Sequence, residues 1–269
     1  MRLAVLPYIN AFPLVEKLDR VPRIGALVPT LPSIAYQILA SGQVEAAIIP
    51  VAQLLEHQHD LNILGPLGIC SQGPVQSVLL KSQCPLHRIQ TIAPDPASRS
   101  SNALVRVLCC HFWGLDDRIT WVDPSIDVDA RVVIGDAALR SSPSPYTYDL
   151  AEIWRQQTGL PFVFAVWACR KETANQQELE SSIYQAYQLG RRSMPELIGK
   201  AAQRSGLDID RCRRYLTESL YYELGSPEFQ AITLFHQLYK NRSCRHHSQI
   251  KSTPQTGISH DQGFARIAN

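Results

Sequence analysis

The sequence predicts an α/β protein of two lobes, with mainly parallel sheets, flanking helices and a ligand cleft between the lobes. Three observations lead there. Strand-like and helix-like segments alternate through the first fifty residues, the pattern of a mainly parallel sheet covered by helices. A second unit of the same kind begins near Ile89. Two apolar segments, residues 75–81 (VQSVLLK) and 162–170 (FVFAVWACR), stand where the chain must pass from one lobe to the other and return. The predicted organisation is a first lobe over 1–82, a second over 83–168, a helical return to the first over 169–240, and a tail over 241–269.

Taken in order, residues 3–8 are a short apolar run ending in Pro7 and Tyr8, which suits a buried strand. Residues 12–18 suit a short helix, and 28–29 a second strand or its exit. Over 31–40, Ile34, Ala35, Ile38 and Leu39 follow helical spacing before Ser41-Gly42 closes the segment. Residues 44–51 (VEAAIIPV) read as a third strand. In the second lobe, 89–93, 119–122 and 131–134 read as strands and 100–112 as a helix. The end of the chain reads as helices at 178–190, 195–205, 210–215 and 229–239, which pack back on the first lobe.

Composition narrows the function. With 45% hydrophobic and 19% charged residues over 269 positions, the chain is an ordinary globular protein. The formal net charge is +2, and Arg242, Arg245, Lys251 and Arg266 against Asp261 put a surplus of three positive charges in the tail. The first 240 residues therefore carry one net negative charge, and no basic stripe marks a nucleic-acid surface. The tail, rich in Ser, His, Gln, Thr and Gly, reads as disordered. Its His246-His247 pair is not a metal site on that reading. Pro7 cuts off the first apolar run before it reaches the length of a secretory signal. No run approaches the roughly 18 apolar residues of a membrane span. The expectation is a cytoplasmic protein that meets no membrane. Seven cysteines, an odd number without CxxC spacing, read as reduced thiols.

Four polar clusters interrupt apolar text beside presumed strands. Asn10 follows the first strand in Tyr8-Ile9-Asn10, as a turn residue or as a cleft group offering one acceptor and two donors. Ser71 and Ser77 flank the presumed crossing in SQGPVQS. With no Gly-x-Ser-x-Gly elbow and no histidine placed to activate it, Ser77 reads as a binding group and not as a nucleophile. Asp95, Ser98, Ser100 and Ser101 lie between a strand and a helix, where hydroxyls and free backbone N–H groups favour an anion. Asp136 ends a strand in Ile134-Gly135-Asp136, placed to accept a hydrogen bond from a ligand hydroxyl. No glycine-rich dinucleotide loop follows the first strand. There is no phosphate-loop lysine and no His/Cys metal spacing. The expected reaction therefore uses no nicotinamide, ATP or metal, and no cofactor is assigned.

Together, YINAFPL, VPTLPSIAYQILASGQVEAAIIP, SQGPVQSVLLKS, DPASRSSNALVRVL, VVIGDAAL, YDLAEIWRQQTGLPFVFAVWACR and RRYLTESLYYELGSPEF resemble the chorismate dehydratase family of the futalosine route to menaquinone. The resemblance is ordered and spans roughly residues 1–240. DPASRSS departs mildly from a serine-threonine-serine pattern, and the tail has no counterpart. The resemblance implies the type 2 periplasmic-binding-protein fold and a hydro-lyase that removes water from chorismate, a small dicarboxylate, to give 3-[(1-carboxyvinyl)oxy]benzoate. It implies that Asn10 and Ser77 are the catalytic polar residues of the cleft. Asn10 then orients the leaving hydroxyl or a carboxylate, and Ser77 holds a carboxylate. Ser98, Ser100 and Ser101 take the other carboxylate, with Ser71, Asp95 and Asp136 as further substrate-binding groups. The proton acceptor is Asp95, Asp136 or a carboxylate of the substrate itself. Two rival readings share the fold: the sister enzyme that forms 1,4-dihydroxy-6-naphthoate, expected to use a cleft histidine, and a non-catalytic receptor for a small carboxylate.

Overall fold

The computed structural model describes residues 1–115, 118–124 and 126–241. The predicted tail lies outside these residues but for Asn241. In chain order, the first part of the molecule runs β1 (Arg2–Val5), α1 (Phe12–Val15), β2 (Ala26–Pro29), α2 (Ala35–Ala40), β3 (Ala46–Pro50), α3 (Val51–Glu56) and β4 (Leu61–Ser71). Next come β5 (Val78–Ser82), β6 (Thr91–Ala93), α4 (Arg99–His111), β7 (Thr120–Trp121), β8 (Ala130–Ile134), α5 (Gly135–Arg140), β9 (Tyr146–Asp149) and α6 (Leu150–Thr158). The chain then returns through β10 (Phe162–Arg170), α7 (Gln176–Arg192), α8 (Met194–Ser205), α9 (Ile209–Arg214), β11 (Tyr221–Glu223) and α10 (Ser226–Lys240).

Two sheets result. One has six strands in the order β11-β4-β10-β3-β1-β2, the other five in the order β7-β6-β8-β5-β9. Both are mixed, which corrects the expectation of mainly parallel sheets. β1 pairs in parallel with β2 and β3, and β6 with β7 and β8. Pairings through β4, β5 and β10 are antiparallel. The cause is the passage between sheets. The strand-helix-strand units run parallel, whereas the strand that follows each passage, β5 in one sheet and β10 in the other, is inserted against its neighbours, and β11 runs against β4.

The passages are turns rather than the strands expected at 75–81 and 162–170. The chain leaves the six-stranded sheet after Ser71 and enters the other at Val78; Gln76 has a left-handed backbone (φ 61°) within this turn. It returns between Thr158 and Phe162. Asp149 fixes both ends of this joint. One of its carboxylate oxygens caps α6 by accepting the N–H groups of Ala151 and Glu152, at 3.1 and 3.2 Å. The other accepts those of Val75 and Gln76, at 2.9 and 2.6 Å. Burial pushes the Asp149 carboxyl up despite the N–H donors from Gln76, Glu152 and Val75 that pull it down.

β3 and β10 are almost wholly buried, because helices cover both faces of the sheet, and they read as unbroken apolar runs for that reason. Behind the joint, Trp154 of α6, Phe162 of β10 and Phe235 of α10 meet edge to face with ring centroids 5.2–5.8 Å apart. The Trp154 indole N–H donates to the Pro161 carbonyl at 2.9 Å. This aromatic cluster gives the two sheets a shared core.

Candidate active site

Asn10 sits in a single 3-10 turn, Ile9–Ala11, at the carboxyl end of β1. Ser77 is the last residue of the passage into β5, almost fully buried, and its carbonyl accepts the Gly135 N–H at 2.7 Å. The serines of 98–101 open α4. These segments converge on one cleft, partly open to solvent. Asn10, Ser77, Ser98, Ser100 and Ser101 all line it, with apolar walls from residues such as Leu6, Ile69, Val78 and Phe164. No Asp, Glu, Lys, Arg or His is among the residues lining it.

Ser71, Asp95 and Asp136 are not in the lining. The buried Ser71 hydroxyl donates to the Gly73 carbonyl at 2.7 Å and shapes the passage turn. Asp95 accepts the Ala97 N–H at 2.9 Å, and Asp136 faces the Ile9 N–H at 3.4 Å, a contact between the lobes. Burial raises the pKa of both carboxyls.

The three serines differ in what their hydroxyls already do. Ser98 is the N-cap of α4. Its oxygen accepts the Ser101 N–H at 3.1 Å, and its hydroxyl lies 2.8 Å from the Ser101 oxygen as donor. Ser100 accepts the Ala52 N–H at 3.2 Å and donates to the Phe164 carbonyl at 3.0 Å, joining α4 to α3 and β10. A hydroxyl has one proton, so Ser101 is the serine of the three whose donor is left for a ligand. The first-turn N–H groups of α4 add to it, since a helix start has no intrahelical acceptors for them.

Two site residues escaped the sequence reading. Tyr8 lines the cleft and packs its ring against Gly135 across the lobes. Tyr215, almost fully buried, donates its hydroxyl to the Ser77 oxygen at 2.8 Å, and the Asn10 side chain lies beside the same phenol. Desolvation raises the Tyr215 pKa, outweighing Ser77 and Asn10, which lower it. The Asn10 carbonyl oxygen is buried and unpartnered among the described residues. No local sequence signal marks Tyr215; in the structure, α9 widens after Arg214, so that the Leu220 N–H reaches the Tyr215 carbonyl five residues back, at 3.2 Å. Such wide turns gather at functional sites.

A family model described as menaquinone biosynthesis matches residues 1–241. The chain belongs to that family. Within reach of it are two curated proteins named chorismate dehydratase. The one from Campylobacter jejuni is 30% identical over 240 residues, 86% of this chain and 93% of that protein. The one from Thermus thermophilus is 26% identical over 227 residues, 76% of this chain and 83% of that protein. Among solved structures, a protein of Archaeoglobus fulgidus superposes with TM-score 0.70 at 15% identity, covering 90% of this chain and 97% of the other. The periplasmic aliphatic sulphonate binding protein of Escherichia coli gives TM-score 0.61 at 17% identity, covering 90% and 92%. The family member described here thus has the periplasmic-binding-protein fold. Among its described residues no helix is long and apolar enough to cross a membrane, and no three His, Cys, Asp or Glu side chains converge as metal ligands.

Proposed function

We propose that this protein is a chorismate dehydratase, a hydro-lyase that converts chorismate to 3-[(1-carboxyvinyl)oxy]benzoate on the futalosine route to menaquinone. The observation that carries the reading is a cleft of neutral hydrogen-bonding groups at two separate places on apolar walls, in a chain whose relatives bear that name. Chorismate is a dianion. Ser101 and the start of α4 hold one carboxylate, and Ser77 holds the other. The unpartnered Asn10 oxygen accepts a hydrogen bond from the ring hydroxyl and orients that group for departure.

In the elimination, the C–H bond of the ring carbon that carries the enolpyruvyl ether breaks, next to the carbon that carries the hydroxyl. Its electron pair forms the new ring double bond, and the C–O bond breaks to release hydroxide, which leaves with the proton as water. The ring becomes aromatic, so the task of the protein is orientation and assistance to proton transfer. Asp95 and Asp136 both stand outside the lining with backbone N–H groups on their oxygens. That favours a carboxylate of the substrate as the proton acceptor. No histidine lines the cleft, which gives the naphthoate-forming alternative no support from the geometry.

Turnover of chorismate by Asp95→Asn and Asp136→Asn, followed by mass detection, tests the assignment of the base. Each variant is expected to keep kcat within about threefold of the parent protein. A loss of 100-fold or more in either, the scale of a removed acid–base group, would return that aspartate to the proton-transfer step.

A further inference from the structure

We propose that Tyr215 is a positioning residue that sets the direction of the cleft's hydrogen bonds, holding Ser77 as a donor and Asn10 as an acceptor toward the bound ligand. The proposal rests on the dehydratase reading for its kinetic arm and on the geometry alone for its spectroscopic arm.

The argument starts from the inventory of protons. A serine hydroxyl has one proton and two lone pairs, and a phenol is the more acidic hydroxyl and so the better donor. The Tyr215 proton points to the Ser77 oxygen at 2.8 Å, which occupies a Ser77 lone pair. The Ser77 proton is then free to point into the cleft that Ser77 lines. With its proton given to Ser77, the phenol oxygen can only accept from Asn10. The side chain of Asn10 must therefore present its NH₂ group to Tyr215. That leaves the amide oxygen on the ligand side, and this is the atom found buried without a partner. The three groups form one polarised chain, from amide N–H through phenol to serine, in which each bond strengthens the next. Donor and acceptor are separated as the reaction requires: a donor for a carboxylate and an acceptor for a ring hydroxyl. A phenylalanine would fill the same volume but would let Ser77 and Asn10 turn to each other or to water.

The test combines kinetics with a measurement that needs no turnover. In Tyr215→Phe, kcat/KM for chorismate is expected to fall about 10- to 100-fold with an unchanged circular dichroism spectrum. The double variant with Ser77→Ala is expected to be no slower than Ser77→Ala alone, since both remove one chain. A single variant within twofold of the parent, or effects that multiply in the double variant, would overturn the proposal. In protein labelled with ¹³C at the tyrosine ζ carbon, with Tyr215 assigned through its backbone, Ser77→Ala and Asn10→Ala should each shift Tyr215 more than the other nine of the ten tyrosines. A Tyr215 resonance unmoved in both would overturn the chain whether or not Tyr215→Phe folds. If the parent protein leaves chorismate intact, the dehydratase reading fails by itself, and the resonance shifts alone decide the role of Tyr215.

Discussion

Asp136 shows how one buried carboxyl shapes the response to pH. Burial raises its pKa above the ordinary 3.8, against the Ile9 N–H and the charges of Arg140 and Arg204. A carboxyl whose folded-state pKa exceeds its unfolded one binds its proton more tightly when folded. Its contribution to stability is therefore complete below 3.8 and is lost as pH rises through the folded value. Asp136→Asn removes that slope. Urea unfolding across this window is expected to show the parent protein losing stability relative to the variant as pH rises; a relative gain would contradict the assignment. At this same scale, the place of Asn10 and Ser77 in the cleft lining was legible in the sequence because each is a polar residue interrupting apolar text next to a strand. Tyr215 was not legible. It meets Ser77 from 138 positions away, and its own segment reads as an ordinary helix end. The serines of 98–101 were legible as a group, but only their hydrogen bonds separate the cap, the lobe tie and the free donor.

Among elements, those defined by periodicity or by unbroken apolar runs were legible, and those defined by breaks were hidden. β4 is the longest strand of the larger sheet, yet LNILGPLGICS carries Gly65, Pro66 and Gly68, residues that local rules assign to turns. The structure accounts for one of them directly. β4 pairs with β10 through register shifts, and a Cβ on Gly68 would lie 2.6 Å from the Ala165 carbonyl oxygen, so only glycine fits the bulged pairing. α6 carries local signals of its own, Asp149 as N-cap, Leu150, Ala151 and Trp154 at helical spacing and Gly159 as its stop; what local sequence hides is that Asp149 also serves the distant passage turn. A similar close approach occurs between helices: α1 crosses α7 so tightly that a Cβ on Gly190 would drive into the Pro13 carbonyl oxygen. Helix propensity alone predicts that Gly190→Ala stabilises by about 1 kcal/mol. Overpacking predicts the opposite, a loss of about 1–3 kcal/mol. The expected outcome is a lower urea midpoint at unchanged slope, and a raised midpoint would show that the helices separate at little cost.

For the whole molecule, the two-lobed plan with a cleft at its centre was legible, while the mixed direction of the sheets was not. Strand direction depends on how the chain crosses between lobes, and the crossings are turns whose geometry is fixed by Asp149, Ser71 and the Trp154–Phe162–Phe235 cluster. The plan places a largely apolar cleft where both lobes contribute hydrogen-bonding groups, with Asp95 and Asp136 outside its lining. The most direct measurement is incubation of the purified full chain with chorismate, without added metal or nucleotide, with products separated and weighed by mass spectrometry. The account predicts a product lighter by one water, formed roughly 100-fold more slowly by Asn10→Ala. Chorismate left intact by the parent protein, or product formed equally fast by the variant, would contradict it.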